Sequence, residues 1–68
     1  MTLEEFRALV EIQGCRVVVD ESIFSPKTKI YVGIHYPGGR CLGGHGQTED
    51  EAFEEMYRRW EIYEKVTL

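Results

Sequence analysis

The sequence predicts an α+β fold in the order α-β-β-β-α, with a three-stranded antiparallel sheet and two helices packed on one of its faces. Two observations predict this order. Each end of the chain carries a capping motif followed by apolar residues at helical spacing, and the middle carries β-branched or alternating runs separated by turn residues. With 68 residues the chain has room for one hydrophobic core, so residues 1–68 are expected to form a single domain.

The first helix is predicted over residues 3–13. Thr2 and Glu5 have the spacing of a capping box, in which the hydroxyl and the carboxylate each accept a hydrogen bond from a backbone amide of the first turn. Gly14 supplies a C-terminal stop, because glycine readily adopts the left-handed conformation that ends helices. The apolar residues expected on its buried side are Leu3, Phe6, Leu9, Val10 and Ile12.

Three short strands are predicted next, joined by tight turns in an antiparallel meander. The first, residues 15–20, contains three consecutive valines and suits a strand buried largely on both faces. The second, residues 29–36, follows a turn at residues 25–28 and alternates in polarity. Its faces are expected to carry Ile30, Val32, Ile34 and Tyr36 on one side and Tyr31, Gly33 and His35 on the other. The third strand is expected near residues 40–42, after the turn Pro37-Gly38-Gly39.

The second helix is predicted over residues 49–66. Thr48 and Glu51 form a second capping box, and acidic residues fill the first turn, where the helix dipole favours them. At about 100° per residue, one arc of this helix is apolar; it comprises Ala52, Phe53, Met56, Trp60 and Tyr63. The charged side is expected to hold three ion pairs at (i, i+4) spacing, namely Glu54–Arg58, Glu55–Arg59 and Glu61–Lys65.

The charge is unevenly distributed along the chain. Residues 1–13 carry a net charge of −2, residues 14–47 of +2 and residues 48–68 of −4, for a total of −4. Phosphate affinity comes largely from Lys and Arg, so the acidic helices argue against direct binding of nucleic acid or of anionic membranes. No secretory signal is recognisable, and no stretch approaches the roughly 20 apolar residues of a membrane span. We therefore expect a cytoplasmic protein with no membrane partner.

No catalytic residue, metal site or cofactor is predicted. Cys15, Cys41, His35 and His45 show no paired ligand spacing. Both thiols are expected to be reduced because no secretory signal is recognisable, and the second strand, which separates the two cysteines, further disfavours a disulfide. Cys41 and His45 offer a nucleophile and a base, but without an apparent third orienting group. The glycine-rich residues 43–46 are interpreted as a bulge or a close approach of strand to helix, since the acids that follow oppose anion binding.

Candidate partner-binding residues lie on the second helix and on the open face of the sheet. Tyr57 falls at the edge of the apolar arc and Ile62 among the charges, and neighbouring Arg residues add the composition that protein interfaces favour. The open sheet face is either a partner surface or a solvated one. The candidate residues are Tyr31, His35, Glu54, Tyr57, Arg58, Glu61 and Ile62.

The predicted order of elements resembles the double-stranded-RNA-binding domain over nearly the whole chain. That family carries the pattern G-x-G-x-[ST]-K-K-x-A-K at the entry to its last helix. Here the corresponding stretch, residues 44–53, keeps the two glycines, Thr48 and Ala52, whereas Glu49 and Asp50 replace the two phosphate-binding lysines. The resemblance implies the fold without the RNA-binding function, because two acids there repel phosphate.

A second, local resemblance involves residues 46–52, Gly-Gln-Thr-Glu-Asp-Glu-Ala. This stretch looks like the G-x-T-x-E-E-A entry to the helix of HicB-type antitoxins, which are small acidic domains that neutralise a toxin by binding it. The leading helix predicted here departs from that family, whose domain starts on a strand. The family's proline-containing segment before the motif and its appended DNA-binding part are also missing from this sequence.

These observations lead to one favoured hypothesis and two alternatives. The favoured hypothesis is a non-catalytic protein-binding module that inhibits or neutralises another protein or complex stoichiometrically, as an antitoxin or a phage anti-defence protein does. Its partner is then a protein, such as a complex that normally holds nucleic acid and that acidic helix faces mimic. The alternatives are a degenerate double-stranded-RNA-binding domain and a small enzyme that uses Cys41 and His45. The short chain and open sheet face also make a homodimer possible.

Overall fold

The computed structural model describes residues 1–21 and 29–67, with side chains through residue 65. Its elements are α1 (Leu3–Glu11), β1 (Arg16–Glu21), β2 (Ile30–His35), β3 (Cys41–Gly46) and α2 (Glu49–Thr67). The strands are antiparallel and lie in the order β1-β2-β3, and the helices pack on one face of the sheet. The predicted fold class is therefore confirmed. The turn predicted at residues 25–28 lies outside the described residues.

Helix α1 begins at the predicted residue and ends at Glu11, two residues before the predicted end. The Thr2 hydroxyl accepts from the Glu5 amide at 3.1 Å, and the Glu5 carboxylate accepts from the Thr2 amide at 3.0 Å. Hydrogen bonding of the Glu5 carboxylate to the Thr2 amide, with a smaller contribution from the Thr2 side chain, holds the pKa of Glu5 below its ordinary value. Gly14 adopts a φ of 87°, while its own amide and the next donate to the carbonyls of Glu11 and Val10. This double hydrogen bond is a Schellman motif, which satisfies carbonyls at the helix end.

The apolar side of α1 is narrower than the predicted one. Leu3, Phe6 and Val10 are buried, whereas Leu9 is 41% exposed and Ile12 is 86% exposed. Ile12 keeps helical backbone angles, and at about 100° per residue it lies about 200° around the helix from the buried Val10, so helical spacing directs it away from the core. The expectation that all five apolar residues face the core was wrong for these two.

Strand β1 is covered on one face only. Val17 is buried, but Val18 is half-buried and Val19 is 37% exposed, so the prediction of burial on both faces was wrong. Both helices lie on the same face, which leaves Val18 on the uncovered face, whereas Val19 lies on the helix-covered face and stays partly exposed because β1 is an edge strand. A run of β-branched residues shows strand propensity but does not by itself show burial.

Strand β2 has the predicted alternation, and β3 is longer than the stretch predicted near residues 40–42. Val32 and Ile34 of β2 are fully buried under the helices. Strand β3 includes the glycine-rich stretch, in which Gly44 and Gly46 lie against α2. A methyl group at Gly44 would overlap backbone atoms of α2, so the interpretation of these glycines as permitting close approach is confirmed.

The core is completed by contacts between the two helices. Phe6 of α1 packs edge-on against three aromatic rings of α2, with centroids 5.1 to 5.9 Å away; they belong to Phe53, Tyr57 and Trp60. Those three rings form a stack along α2, with interplanar angles of 16° and 17°. Edge-to-face and offset-stacked rings are the arrangements that aromatic quadrupoles favour. Trp60 is therefore a core residue, as predicted, although it remains half-buried.

Candidate protein-binding surface

The seven predicted partner-binding residues divide between two opposite sides of the molecule. Tyr31 and His35 lie on the sheet face that no helix covers, which we call the outer sheet face. The remaining five lie on α2, which packs on the other face of the sheet. The structure therefore offers two separate candidate surfaces, and a single compact partner is expected to use one of them.

The α2 outer face is the side of α2 that points away from the core. We define it by the exposed residues Glu54, Arg58, Glu61 and Ile62, with the half-buried Tyr57 at its margin. At about 100° per residue these positions fall within one arc of the helix. Ile62 is 63% exposed, so this charged arc also presents an apolar side chain to a partner.

The ion pairs on this helix differ from the predicted set. Glu55 and Arg59 form a salt bridge at 3.3 Å. Among the described residues, neither Glu54–Arg58 nor Glu61–Lys65 forms a salt bridge, so those two predictions were wrong. A pair at (i, i+4) on an exposed face gains only a few tenths of a kcal/mol, about what ordering two long side chains costs. Glu54 and Glu61 consequently keep carboxylates available to a cationic partner.

Two shallow grooves flank the side chains of Glu54 and Arg58, which line both. One groove, of about 270 Å³, is completed by Met1, Phe53 and Tyr57 and has an aromatic wall. The other, of about 430 Å³, has an acidic wall; its further lining residues are His45, Gly46, Gln47, Glu51 and Glu55. A ridge of opposite charges between an aromatic groove and an acidic groove suits recognition of a basic, partly apolar protein segment.

The outer sheet face is organised around Tyr31. Its ring lies over Gly33 and Gly43, where any side chain would overlap it, and it contacts the His45 ring at a centroid distance of 5.1 Å. Loss of hydration at this position raises the pKa of Tyr31 above its ordinary value, with a smaller contribution from Cys41. The Tyr31 ring thus covers two glycines and is half-buried, so its side chain is less available to a partner than that of the exposed His35.

Cys41 and His45 do not form a nucleophile–base pair. They lie four residues apart along β3, roughly 13 Å by strand geometry, and His45 packs on Tyr31. Cys41 instead lies opposite His35 in the register of β2 and β3. Both cysteines carry free thiols, and the described residues contain no group of three His, Cys, Asp or Glu side chains that could hold a metal ion.

The free edge of β3 is bonded by side chains of α2, a feature that sequence reasoning missed. Arg59 donates to the Gly43 carbonyl, the Glu55 carboxylate accepts from the His45 amide at 3.3 Å, and Glu51 accepts from the Gln47 amide at 3.1 Å. Unpaired edge groups are templates for unwanted strand addition, so bonding the Gly43 carbonyl and the His45 amide obstructs strand addition at the β3 edge. The second capping box is altered as a result: Thr48 accepts from the Glu51 amide as predicted, but the Glu51 carboxylate bonds the Gln47 amide instead of the Thr48 amide.

The end of the sheet near the turn between β2 and β3 holds a tyrosine whose hydroxyl is buried. Among the described residues, the Tyr36 hydroxyl has no hydrogen-bond partner. Burial, with a smaller contribution from Glu64, raises the pKa of Tyr36 to about 12. Its ring contacts Tyr63, whose hydroxyl accepts from Arg40 at 3.0 Å. Burial likewise raises the pKa of Cys15, which makes its thiol a structural group with little thiolate character.

Comparison with known proteins returns no significant match to this chain among protein-family models, curated proteins or solved structures. The chain shares the α-β-β-β-α order of elements with the double-stranded-RNA-binding fold. No family model assigns it to that family or to the HicB-type antitoxins. None of the helices in the described part of the chain has the length and apolar character needed to cross a membrane.

Proposed function

We propose that this chain is a non-catalytic module that binds another protein stoichiometrically and inhibits or neutralises it, through the α2 outer face. The observation that carries the proposal is the pair of exposed carboxylates, Glu54 and Glu61, which no described residue engages in an ion pair. They lie beside Arg58 and Ile62, so charge and apolar area are presented together. Such a composition fits a protein partner better than a nucleic acid.

The partner proposed is a cytoplasmic protein with a basic groove, such as one that normally holds nucleic acid. Carboxylates spaced along a helix place negative charge where phosphates would lie, and charge complementarity of this kind accelerates association and fixes orientation. Neutralisation of a toxin or of a defence complex of a phage host would follow from occupying that groove. Size supports a binding role, because a chain of 68 residues more readily builds a surface than a deep, water-excluding cleft.

The test is affinity capture of a tagged chain from its host's lysate, followed by binding measurements on the recovered partner. The informative variant is Glu54→Lys with Glu61→Lys. Glu55 should be left unchanged, because it bonds both Arg59 and the β3 edge and its loss would alter the fold. We expect the double variant to bind at least about tenfold more weakly and with less dependence on salt.

A matched control is the double variant Glu4→Lys with Glu11→Lys on α1. It changes the net charge by the same amount, and both side chains are exposed. A lysine in the first turn of α1 is unfavourable to the helix dipole and a lysine at its last residue is favourable, so the two effects on stability are expected to offset one another. Equal affinity of the wild type and the α2 variant, or equal weakening by both variants, would contradict a specific role for the α2 outer face.

A degenerate double-stranded-RNA-binding domain is the second candidate, favoured by the order of elements alone. Glu49 and Asp50 are exposed on the first turn of α2, at the position where that family places lysines. We expect no retarded band with duplex RNA at low salt and micromolar protein. A shift that Glu49→Lys with Asp50→Lys strengthens would support this candidate over the protein-binding one.

A further inference from the structure

The outer edge of β1 presents the backbone groups of Val17 and Val19, which no described residue bonds, whereas the outward amide of Glu21 donates to one oxygen of the Asp20 carboxylate at 2.8 Å. The direction of the hydrogen bonds follows from one contact: the Tyr36 amide donates to the Arg40 carbonyl at 2.7 Å, so even-numbered residues of β2 bond β3. Odd-numbered residues of β2 therefore bond β1, where their partners are Arg16, Val18 and Asp20. The amides and carbonyls of Val17 and Val19 consequently point away from the sheet.

The same alternation is verified at the opposite edge of the sheet. It directs the backbone groups of Gly43 and His45 outward from β3, where Arg59 bonds the Gly43 carbonyl and Glu55 bonds the His45 amide. No equivalent side chain bonds Val17 or Val19 in the part of the chain that the structure describes. Within the described residues, side chains therefore obstruct strand addition at the β3 edge, and Val17 and Val19 leave the β1 edge available to a further strand.

We propose that the open edge of β1 pairs antiparallel with β1 of a second copy of this chain, about a two-fold axis at Val18. In this register Val17 of each copy lies opposite Val19 of the other. Those are the residues whose backbone groups point outward, so the two copies form hydrogen bonds at both pairs. The result is a continuous six-stranded sheet.

Charge selects this register over its neighbours. With the axis at Val18, the exposed Arg16 of each copy lies opposite the exposed Asp20 of the other, on the outer sheet face, and symmetry makes the pair twice. An axis at Arg16 or at Asp20 would place like charges opposite each other, which destabilises strand pairs. An axis at Val17 or Val19 would oppose a charged residue to Val18. Among five adjacent centres, the one at Val18 alone pairs opposite charges.

Apolar exposure around this edge agrees with a second copy as the occupant. Val19 is 37% exposed on the face that the helices cover, and in the proposed register it meets the valine at position 17 of the second copy. Helix α1 packs against β1 and leaves Leu9 and Ile12 exposed. Pairing two β1 edges brings the α1 helix of each copy near the interface, and the opposed Val17 and Val19 side chains supply the apolar contact there.

This inference is independent of the proposed function. Helix α2 packs over β2 and β3, away from the β1 edge of the sheet. The α2 outer face therefore stays accessible in the dimer. Partner binding and self-association are therefore separable by mutation. Glu54→Lys with Glu61→Lys should leave self-association unchanged.

The test is the mass distribution by sedimentation equilibrium over a concentration series, for the wild type and three charge variants. We expect a reversible dimer for the wild type and a shift of at least about tenfold in its dissociation constant for Arg16→Asp, because four acids then meet at the interface. Asp20→Arg should weaken it similarly. The double variant Arg16→Asp with Asp20→Arg restores opposite charges and should restore the dimer. A wild type that stays monomeric throughout, or a dimer indifferent to the single reversals, would overturn the proposal.

A backbone variant tests the pairing independently of charge. Val19→Pro removes an amide that points away from the sheet, so the ladder between β1 and β2 keeps its hydrogen bonds, as proline on an edge strand allows. We expect a folded monomer, with a circular dichroism spectrum like that of the wild type. A folded Val19→Pro variant that dimerises as strongly as the wild type would show that the contact lies elsewhere.

Discussion

The two edges of the sheet differ in how their outward backbone groups are treated. At β3, the side chains of Arg59, Glu55 and Glu51 bond groups of the edge and of the residue that follows it. At β1, no side chain bonds Val17 or Val19 among the described residues. The comparison shows that a small sheet can close one edge against strand addition while leaving the other available for it.

The difference originates in residue size at the contact between strand and helix. Gly44 and Gly46 of β3 bring α2 so close that its side chains reach past the strand to the edge. On β1 the corresponding face carries valines, and α1 has only nine residues, Leu3–Glu11. A short helix held away by valines buries apolar side chains but does not bond the edge.

The largest expected effect comes from filling the close contact on the β3 side. In Gly44→Ala, the added methyl group meets backbone atoms of Met56 and Ala52, which have no free rotation, so the helix must move. We expect the free energy of unfolding to fall by about 3 kcal/mol or more. Urea denaturation followed by circular dichroism measures it.

The neighbouring glycine of the same strand supplies the control. In Gly43→Ala the methyl group meets the ring of Tyr31, which can rotate toward solvent. We expect the free energy of unfolding to fall by no more than about 1 kcal/mol. The cost of moving the ring is partly offset, because alanine loses less conformational entropy than glycine on folding. Comparable losses at both glycines would contradict the distinction between backbone and side-chain neighbours.

An intermediate effect is expected from opening the β3 edge. Arg59→Ala removes the donor to the Gly43 carbonyl and the salt-bridge partner of Glu55. We expect a loss of about 1–2 kcal/mol in the free energy of unfolding, typical of a lost charge-assisted hydrogen bond. Arg58→Ala, on the adjacent exposed position, should change it by less than about 0.5 kcal/mol. If the two variants unfold at the same denaturant concentration, the edge contact has no energetic value.

The smallest effect at neutral pH is expected at the end of the central strand, away from both edges. Tyr36→Phe removes a buried hydroxyl that no described residue bonds, so we expect stability to be unchanged or raised by up to about 1 kcal/mol. Thermal unfolding measures this change. A loss above about 1 kcal/mol would indicate that the hydroxyl has a partner.

Alkaline pH is expected to enlarge the difference in stability between the wild type and Tyr36→Phe. Because the pKa of Tyr36 is raised to about 12, the folded state retains a proton that the unfolded state loses near pH 10. Stability from this group is therefore lost as the pH rises from 10 to 12, and Tyr36→Phe should be less sensitive over that interval. Parallel profiles for the two proteins would rule out a raised pKa.

Local signals in the sequence predict most of the fold. The capping boxes, the stop at Gly14 and the alternation of β2 depend on residues within a few positions of each other, and the structure confirms them with one altered bond at Glu51. The length of β3 was not predictable this way, since its glycines have low strand propensity and are held by pairing with β2 and packing on α2.

The candidate site was predictable in part. The exposure of Glu54, Arg58, Glu61 and Ile62 follows from helical spacing. The roles of Glu55 and Arg59 do not, because the same spacing makes all three (i, i+4) pairs equivalent. Only the approach of α2 to β3 distinguishes them. The open edge of β1 likewise requires the strand order and the direction of its hydrogen bonds.

The most direct test of this account is amide hydrogen exchange at the two edges, measured at low and at high protein concentration. The His45 amide, bonded within one chain, is expected to exchange at the same rate in both samples. The amides of Val17 and Val19 should exchange rapidly in dilute protein and more slowly as the concentration rises, because the second copy bonds them. Rates at Val17 and Val19 that do not change with concentration would contradict self-pairing at the β1 edge.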